Sequence, residues 1–385
     1  MSESRERHVG AVGSSCTGCE ACAAVCPQGC IEMRPDADGF AYPHVDRARC
    51  ADCGLCDLRC PLEPLRAAAR PLASYGARTR DRDVLAHSSS GGLFTELARS
   101  VFRAGGCVFG CALDSVSLRA RHVKAESESE LAPLRGSKYV QSRIGNAYAD
   151  CARELRSGRQ VLFSGTPCQV AGLKAFLGAD QANLLTVAVV CHGVPSPAVF
   201  ERYKGEAARA LGAPVRRVFF RSKVNGWKRQ TIVAETDGAS QAELFPRSYL
   251  RDFNRMLRLS CHACPCRAGR SEADLQIGDF WGLDALYPEH DDDLGMSVAI
   301  VWTEKGRRAF ESLAVESFPV PYEHVVVRNP NVLVDVPEEK KRARYLKAAR
   351  RLSLATAHRV SGYRSRLRCL CAELRDFLGT LTGRF

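Results

Sequence analysis

Cys16-Thr17-Gly18-Cys19-Glu20-Ala21-Cys22-Ala23-Ala24-Val25-Cys26-Pro27 is answered further on by Cys50-Ala51-Asp52-Cys53-Gly54-Leu55-Cys56-Asp57-Leu58-Arg59-Cys60-Pro61, with the thiols at the same intervals. A structural zinc site needs only four ligands in paired spacing. Three thiols at two-residue intervals instead wrap three corners of an iron-sulfur cubane, and the fourth, turned away by its proline, reaches the other cluster. The spacing therefore predicts one [4Fe-4S] cluster on Cys16, Cys19, Cys22 and Cys60, and a second on Cys50, Cys53, Cys56 and Cys26. Cys30 stands outside the pattern and reads as a small buried side chain.

Outward from this module, 385 residues at 45% hydrophobic and 25% charged suffice for two or three domains with a sizeable core. Nine of the nineteen cysteines fall in the first sixty positions, which asks for metal before disulfides. The first fifteen residues hold Arg5, Glu6, Arg7 and several serines but no apolar stretch of signal-peptide length, so a reducing cytoplasm is the expected location. The best apolar run, 184–191, is far short of a membrane span. The net charge of +12 is concentrated in residues 340–385, where thirteen Lys and Arg face Glu373 and Asp376. Such a tail is a solvated helix face, or meets an acidic partner or, peripherally, an anionic membrane surface; with no nucleic-acid fold, nucleic acid is not expected.

The module is expected to span 1–65, followed by an Ala/Arg linker. Leu93, Phe94, Leu97, Ala98, Val101 and Phe102 recur at helical spacing and stop at Gly105-Gly106. Residues 160–164 and 184–190 read as short buried strands flanking a helix at about 170–177, an alternation that suggests a parallel α/β sheet. Further strands are predicted at 218–220, 231–234, 275–277 and 298–302, and helices from about 338. The fold class is thus an α+β ferredoxin-like N-terminal module, an α/β domain with a mixed sheet in two parts (72–213 and 214–337), and a basic helical tail (338–385).

Ser88-Ser89-Ser90-Gly91-Gly92 stands at the start of the Leu93 helix, where free N–H groups, hydroxyls and close backbone approach suit a phosphate, although serine and glycine also cap ordinary helices. Neither a G-x-G-x-x-G after a strand nor a P-loop is present. Gly165-Thr166-Pro167-Cys168-Gln169 and Cys191-His192-Gly193 leave the C-terminal edges of neighbouring strands, where open α/β sheets place ligands. Cys261-x2-Cys264-x-Cys266 precedes Gly278-Asp279-Phe280-Trp281-Gly282, and with Cys168 and Cys191 supplies thiols enough for a third cluster. Cys107, Cys111, Cys151, Cys369 and Cys371 read as buried small side chains.

Residues 13–64 resemble the bacterial two-cluster ferredoxins. The serine-glycine run, Ser137-Lys138-Tyr139-Val140-Gln141-Ser142, the two strand-end loops, Gly226-Trp227-Lys228 and Gly278-Asp279-Phe280-Trp281-Gly282, in that order over about 74–330, resemble the coenzyme F-420 hydrogenase/dehydrogenase beta-subunit family. The resemblance implies FAD beside a [4Fe-4S] cluster. It sets Ser89, Ser90, Gly91 and Gly92 on the pyrophosphate, and Lys138, Thr166, Pro167 and Gln169 near the flavin. Asp279 and Trp281 either frame the cofactor or cluster or pack a buried turn. Cys168, Cys191, Cys261 and Cys264 are the first choice for the third cluster, with Cys266 as substitute; Cys266, Cys107 and Cys111 depart from the family's motif. His192 suits proton donation, and Lys138 or Lys228 a positive neighbour for the flavin. The expected function is an iron-sulfur flavoprotein oxidoreductase carrying electrons through the clusters to FAD and on to coenzyme F-420 or a small organic substrate. A ferredoxin, a separate catalytic protein or the deazaflavin coenzyme is the expected redox partner. Two further readings are an electron-relay subunit without its own substrate site and, more remotely, a zinc-bearing nucleic-acid binder.

Overall fold

A computed structural model describes residues 8–62, 66–244 and 248–362. Its N-terminal module is small: β1 (Ile31–Pro35) and β2 (Ala41–Val45) form an antiparallel pair, and short helices Ala21–Val25 and Leu55–Leu58 follow the two thiol loops. The sequence repeat extends to the backbone. Gly18 and Asp52 hold φ of 71° and 61°, Glu20 and Gly54 hold 63° and 72°, so each loop makes the same two left-handed turns around its thiols.

The main domain is an eight-stranded mixed sheet. In chain order its strands are β3 (Ala73–Thr79), β4 (Cys107–Leu113), β5 (Ala120–Ala125), β6 (Val161–Gly165) and β7 (Leu184–Val189). After β8 (Arg217–Ser222), β9 (Thr231–Glu235) and β10 (Ser240–Leu244), which make a separate antiparallel sheet, come β11 (Leu275–Asp279), β12 (Ser297–Val301) and β13 (Val315–Pro319). The order is β13-β3-β12-β11-β7-β6-β4-β5; β11, β7, β6 and β4 run parallel, whereas β12, β13 and β5 run against their neighbours. The parallel expectation from 160–190 describes the centre, and the antiparallel flanks make the sheet mixed. Central strands are covered on both faces, which is why 161–163 and 298–301 are continuous apolar runs rather than alternating ones. The chain after residue 214 thus leaves to build β8–β10 and returns to finish the same sheet.

The tail helices Arg342–Ala349 and Leu354–Gly362 are packed on the body. Tyr345 and Leu346 are buried beside Phe200, Phe220 and Tyr249. Some of the tail's charge is satisfied internally: Arg342 Nε donates to the Leu257 carbonyl at 2.9 Å, and Arg350 pairs with Asp38 of the N-terminal module at 2.7 Å. Residues 363–368, Cys369 and Cys371 lie outside the described residues. No helix among the described residues is long and apolar enough to cross a membrane.

The module is docked on the sheet domain by polar contacts. Glu20, buried, accepts from Arg143 Nε at 2.5 Å and from the Gly145 N–H at 3.1 Å. The Asp38 carbonyl accepts from Ser196 Oγ at 2.6 Å, and Gln141 Nε2 donates to the Thr17 carbonyl.

Candidate functional site

The module's thiols gather as two sets. Burial pushes the Cys19 and Cys22 thiols up, and both are raised further by Cys16 and Cys60 nearby, an environment hostile to bare thiolates and suited to ones neutralised by iron. Cys26, Cys50, Cys53 and Cys56 line a second hollow of about 20 Å³. Cys30, read from sequence as a plain core residue, is buried but lines this same hollow, its Sγ 3.4 Å from Cys26 Sγ. Nothing in the repeat spacing announced that.

A third set forms where strand ends meet. The strand β6 delivers Thr166 and Cys168 at its C-terminal edge, because Pro167 starts the helix Pro167–Leu177 and Thr166 with Gln169 forms a capping box. Cys191 follows β7, and Gly193 (φ 124°) allows the turn; a Cβ there would stand 2.9 Å from Leu257 Cδ1 and 3.1 Å from Cys261 Cβ. Cys168 lies within electrostatic reach of Cys264, Cys191 and Cys261. Burial raises Cys168, Cys191 and Cys261, whereas Cys264 is pulled down to about 7, first by its hydrogen bond with Cys266. The Val194 N–H points at Cys261 Sγ from 3.4 Å. Cys266 is buried, hydrogen-bonded to Cys264 and within electrostatic reach of Cys168 and Cys19, and does not line the cavity that the other four share. Among the described residues no three His, Cys, Asp or Glu are drawn tightly enough to hold a single ion.

This cavity, of about 410 Å³, is of the size that takes cofactor-like ligands. Ser89, Ser90, Gly92, Lys138, Thr166, Pro167, Gln169, His192 and Asp279 share its wall with Cys168, Cys191, Cys261 and Cys264. The serine-glycine run reaches it as the N-terminus of the helix Leu93–Arg103, with Gly92 at φ 81° as cap and no side-chain cap bond. Ser88 and Ser90 donate to the Val84 and Met296 carbonyls, whereas Ser89 Oγ accepts the Ser137 N–H at 2.8 Å and keeps its own proton to donate. Gly91 lies under the loop rather than on the wall. Its N–H goes to Ser297 Oγ, and a Cβ would stand 2.5 Å from the Ala77 carbonyl oxygen. Lys223 Nζ donates to the carbonyls of Leu85, Ser90 and Leu294, fixing the loop from behind.

Lys138 Nζ donates to the Arg135 carbonyl at 2.7 Å, and burial lowers its ammonium to about 8. Burial likewise holds the His192 imidazole below its ordinary value, so it is neutral at pH 7. Asp279 accepts from Arg221 Nη1 at 2.6 Å and from Trp227 Nε1 at 3.0 Å, while Arg221 lies over Trp281, which stacks on Trp227 with centroids 5.4 Å apart. Gln169 is on the wall with its amide already committed to Thr166 and Ser142. Lys228, a sequence candidate for the flavin's positive neighbour, pairs instead with Asp291 and is not part of the wall, because the acidic stretch 291–293 captures it. Cys107 and Cys151 are buried as expected, but Cys111 faces the cavity. Arg221, Lys223 and Arg267, which donates to the Cys191 carbonyl, had no motif to betray them.

With this geometry in view, residues 158–318 match the family described as coenzyme F420 hydrogenase/dehydrogenase, C terminus of the beta subunit, and residues 15–63 match the 4Fe-4S dicluster domain. The chain carries one segment that matches each of these two domains. The dicluster match takes in all eight repeat cysteines and so implies two [4Fe-4S] clusters. The beta-subunit match begins just before β6 and contains Cys168, Cys191, His192, Cys261, Cys264 and Asp279; the serine-glycine run and Lys138 precede it. No curated protein matches the chain. Among solved structures, a chain from the F420-reducing [NiFe] hydrogenase complex of Methanosarcina barkeri, studied as a xenon derivative, aligns at 16% identity and a TM-score of 0.48, over 70% of this chain and 91% of that one.

Proposed function

We propose that this chain is an iron-sulfur flavoprotein oxidoreductase, with clusters on Cys16, Cys19, Cys22 and Cys60, on Cys26, Cys50, Cys53 and Cys56, and on Cys168, Cys191, Cys261 and Cys264, FAD in the large cavity, and coenzyme F420 or a small organic molecule as redox partner. The observation that carries the reading is the shared wall: a helix N-terminus suited to a pyrophosphate, a half-buried lysine and a neutral histidine stand on the same cavity as four thiols. Bound, the clusters supply one-electron exchange and the flavin links it to two-electron exchange.

The protein's own contributions follow from the geometry. Ser89 O–H and the first-turn N–H groups of the helix Leu93–Arg103 bind the pyrophosphate, and Lys223 fixes their loop. Lys138 supplies positive charge beside the ring, and its lowered ammonium value lets that charge respond near pH 8. His192, neutral at rest, can take up a proton at its imidazole and return it. Arg221 and Asp279 keep the indole of Trp281 in place on the wall. A relay subunit without its own substrate site has less support, since a bare conduit needs no cavity of this size.

Iron, sulfide and flavin in anaerobically purified full-length protein test the reading, together with the visible spectrum before and after reduced deazaflavin coenzyme. About twelve irons and one FAD per chain are expected from three cubanes, with bleaching or its absence choosing between deazaflavin and another partner. About eight irons and no flavin would reduce the chain to a two-cluster relay.

A further inference from the structure

A chain of polar contacts runs from His122 to Cys168 Sγ, and every proton in it up to the Thr166 hydroxyl can be assigned. His122 is buried on β5, its ring stacked on Phe163 at 5.2 Å. Nε2 lies 3.1 Å from the Ser164 carbonyl, which can only accept, so Nε2 carries the proton and Nδ1 is an acceptor. Ser142 Oγ, 3.2 Å from Nδ1, therefore donates to it, and the same oxygen accepts from Gln169 Nε2 at 2.8 Å. Gln169 Oε1 in turn accepts the Thr166 backbone N–H at 3.0 Å. The amide cannot be reversed: its two ends face a backbone donor at Thr166 and the Ser142 carbonyl, 3.4 Å from Nε2. Burial lowers His122 to about 4, consistent with the neutral tautomer.

One proton in the chain has a choice. Thr166 Oγ1 stands 3.1 Å from Gln169 Oε1 and 3.1 Å from Cys168 Sγ. Oε1 is already satisfied by the backbone N–H. As a thiol, Cys168 donates to the hydroxyl, whose own proton goes to Oε1. As a thiolate ligand, Cys168 can only accept, and a charged acceptor outcompetes a neutral one.

We infer that Thr166 is a positioning residue for the third cluster: its hydroxyl, placed by the capping box in which Gln169 Oε1 accepts the Thr166 backbone N–H, donates to the Cys168 sulfur and raises that cluster's reduction potential. The inference rests on the proposal that Cys168 is a cluster ligand. Hydrogen bonds to the sulfurs are among the determinants of cluster potential. An added electron increases the negative charge on sulfur, so the bond is stronger in the reduced state and favours it.

The test compares full-length, anaerobically purified Thr166→Val, Thr166→Ala and Thr166→Ser by iron and flavin content and by a redox titration followed by electron paramagnetic resonance. Cys168→Ala identifies the third cluster by the signal that disappears. Both variants without the hydroxyl should keep iron and flavin and lose about tenfold in that cluster's affinity for an electron, ~59 mV for a one-electron couple. The serine variant should keep the wild-type midpoint, and the N-terminal clusters should not move. An unchanged midpoint at full iron content overturns the inference, and so does loss of the third cluster's iron in both variants, since a tuning bond is dispensable for ligation. Full iron retention in Cys168→Ala is a separate outcome, which removes the ligand assignment itself.

Discussion

Arg258 Nε donates to the Cys16 carbonyl oxygen at 2.6 Å, joining a fully buried guanidinium of the sheet domain to the first thiol loop. The same side chain donates to the Ala41 carbonyl and to Gln141 Oε1, each at 3.0 Å, and lies 4.1 Å from the ring centre of Tyr42. Removing it leaves two buried carbonyls and the half-buried Gln141 amide oxygen without this donor. Arg258→Met should cost about 3 kcal/mol, counted as a fraction of the penalty for each stranded group. Denaturant melts read the loss, and limited proteolysis should release the N-terminal module first.

Cys168→Ala and Cys266→Ala should part company. The first shares the cavity wall with three other thiols and should remove about four irons, one cubane; the second is not on that wall and should keep them. Iron and sulfide analysis of the two variants decides, and loss of iron only in Cys266→Ala would exchange their roles.

Two glycines predict opposite outcomes. At Gly91 a Cβ meets the Ala77 carbonyl oxygen at 2.5 Å and Ser297 N at 2.8 Å, both backbone atoms of the central sheet. Gly91→Ala should push the serine-glycine loop off its seat and lower flavin content at unchanged iron. Gly205 lies inside the helix Pro197–Leu211 with nothing within 4 Å of a new Cβ. Gly205→Ala should stabilise the protein by about 1 kcal/mol, read from its melting temperature.

The pH dependence of stability should carry the mark of His122. Burial lowers its imidazole from 6.5 to about 4. Between those values the unfolded chain binds a proton that the folded chain refuses, so the stabilisation is complete above pH 6.5 and is lost as pH falls toward 4. The shift corresponds to about 3 kcal/mol. In His122→Gln the wild-type decline between pH 6.5 and 4 should flatten in urea melts, with the iron content checked at each pH.

Much of this site was legible in the sequence because it is local. The cubane spacing, Ser88 to Gly92 before a helical period, and the motifs beginning at Gly165 and Cys191 are each written within a few residues. Strand patterning could not reveal that β12 runs against the centre, since continuous apolar runs look alike in either direction. The unannounced residues act at long range: Arg258 reaches Cys16 across the domain boundary, Lys223 grips the loop at Ser90, and Cys30 turns toward Cys26. Lys228 misleads for the opposite reason. Its motif is local, but its partner Asp291 is sixty-three residues away.

Gly172, one turn into the helix that begins beside Cys168, leaves so little space that a Cβ there would meet Cys19 Sγ at 3.2 Å. Two separately encoded thiol sets are thereby held in permanent apposition, with no diffusional encounter between them. For freely diffusing redox proteins, transfer slows with dilution and with salt; here the effective concentration of one set about the other is fixed by the fold. Electron exchange between them should be first order and indifferent to ionic strength, leaving such sensitivity to whatever external partner delivers or collects the electrons.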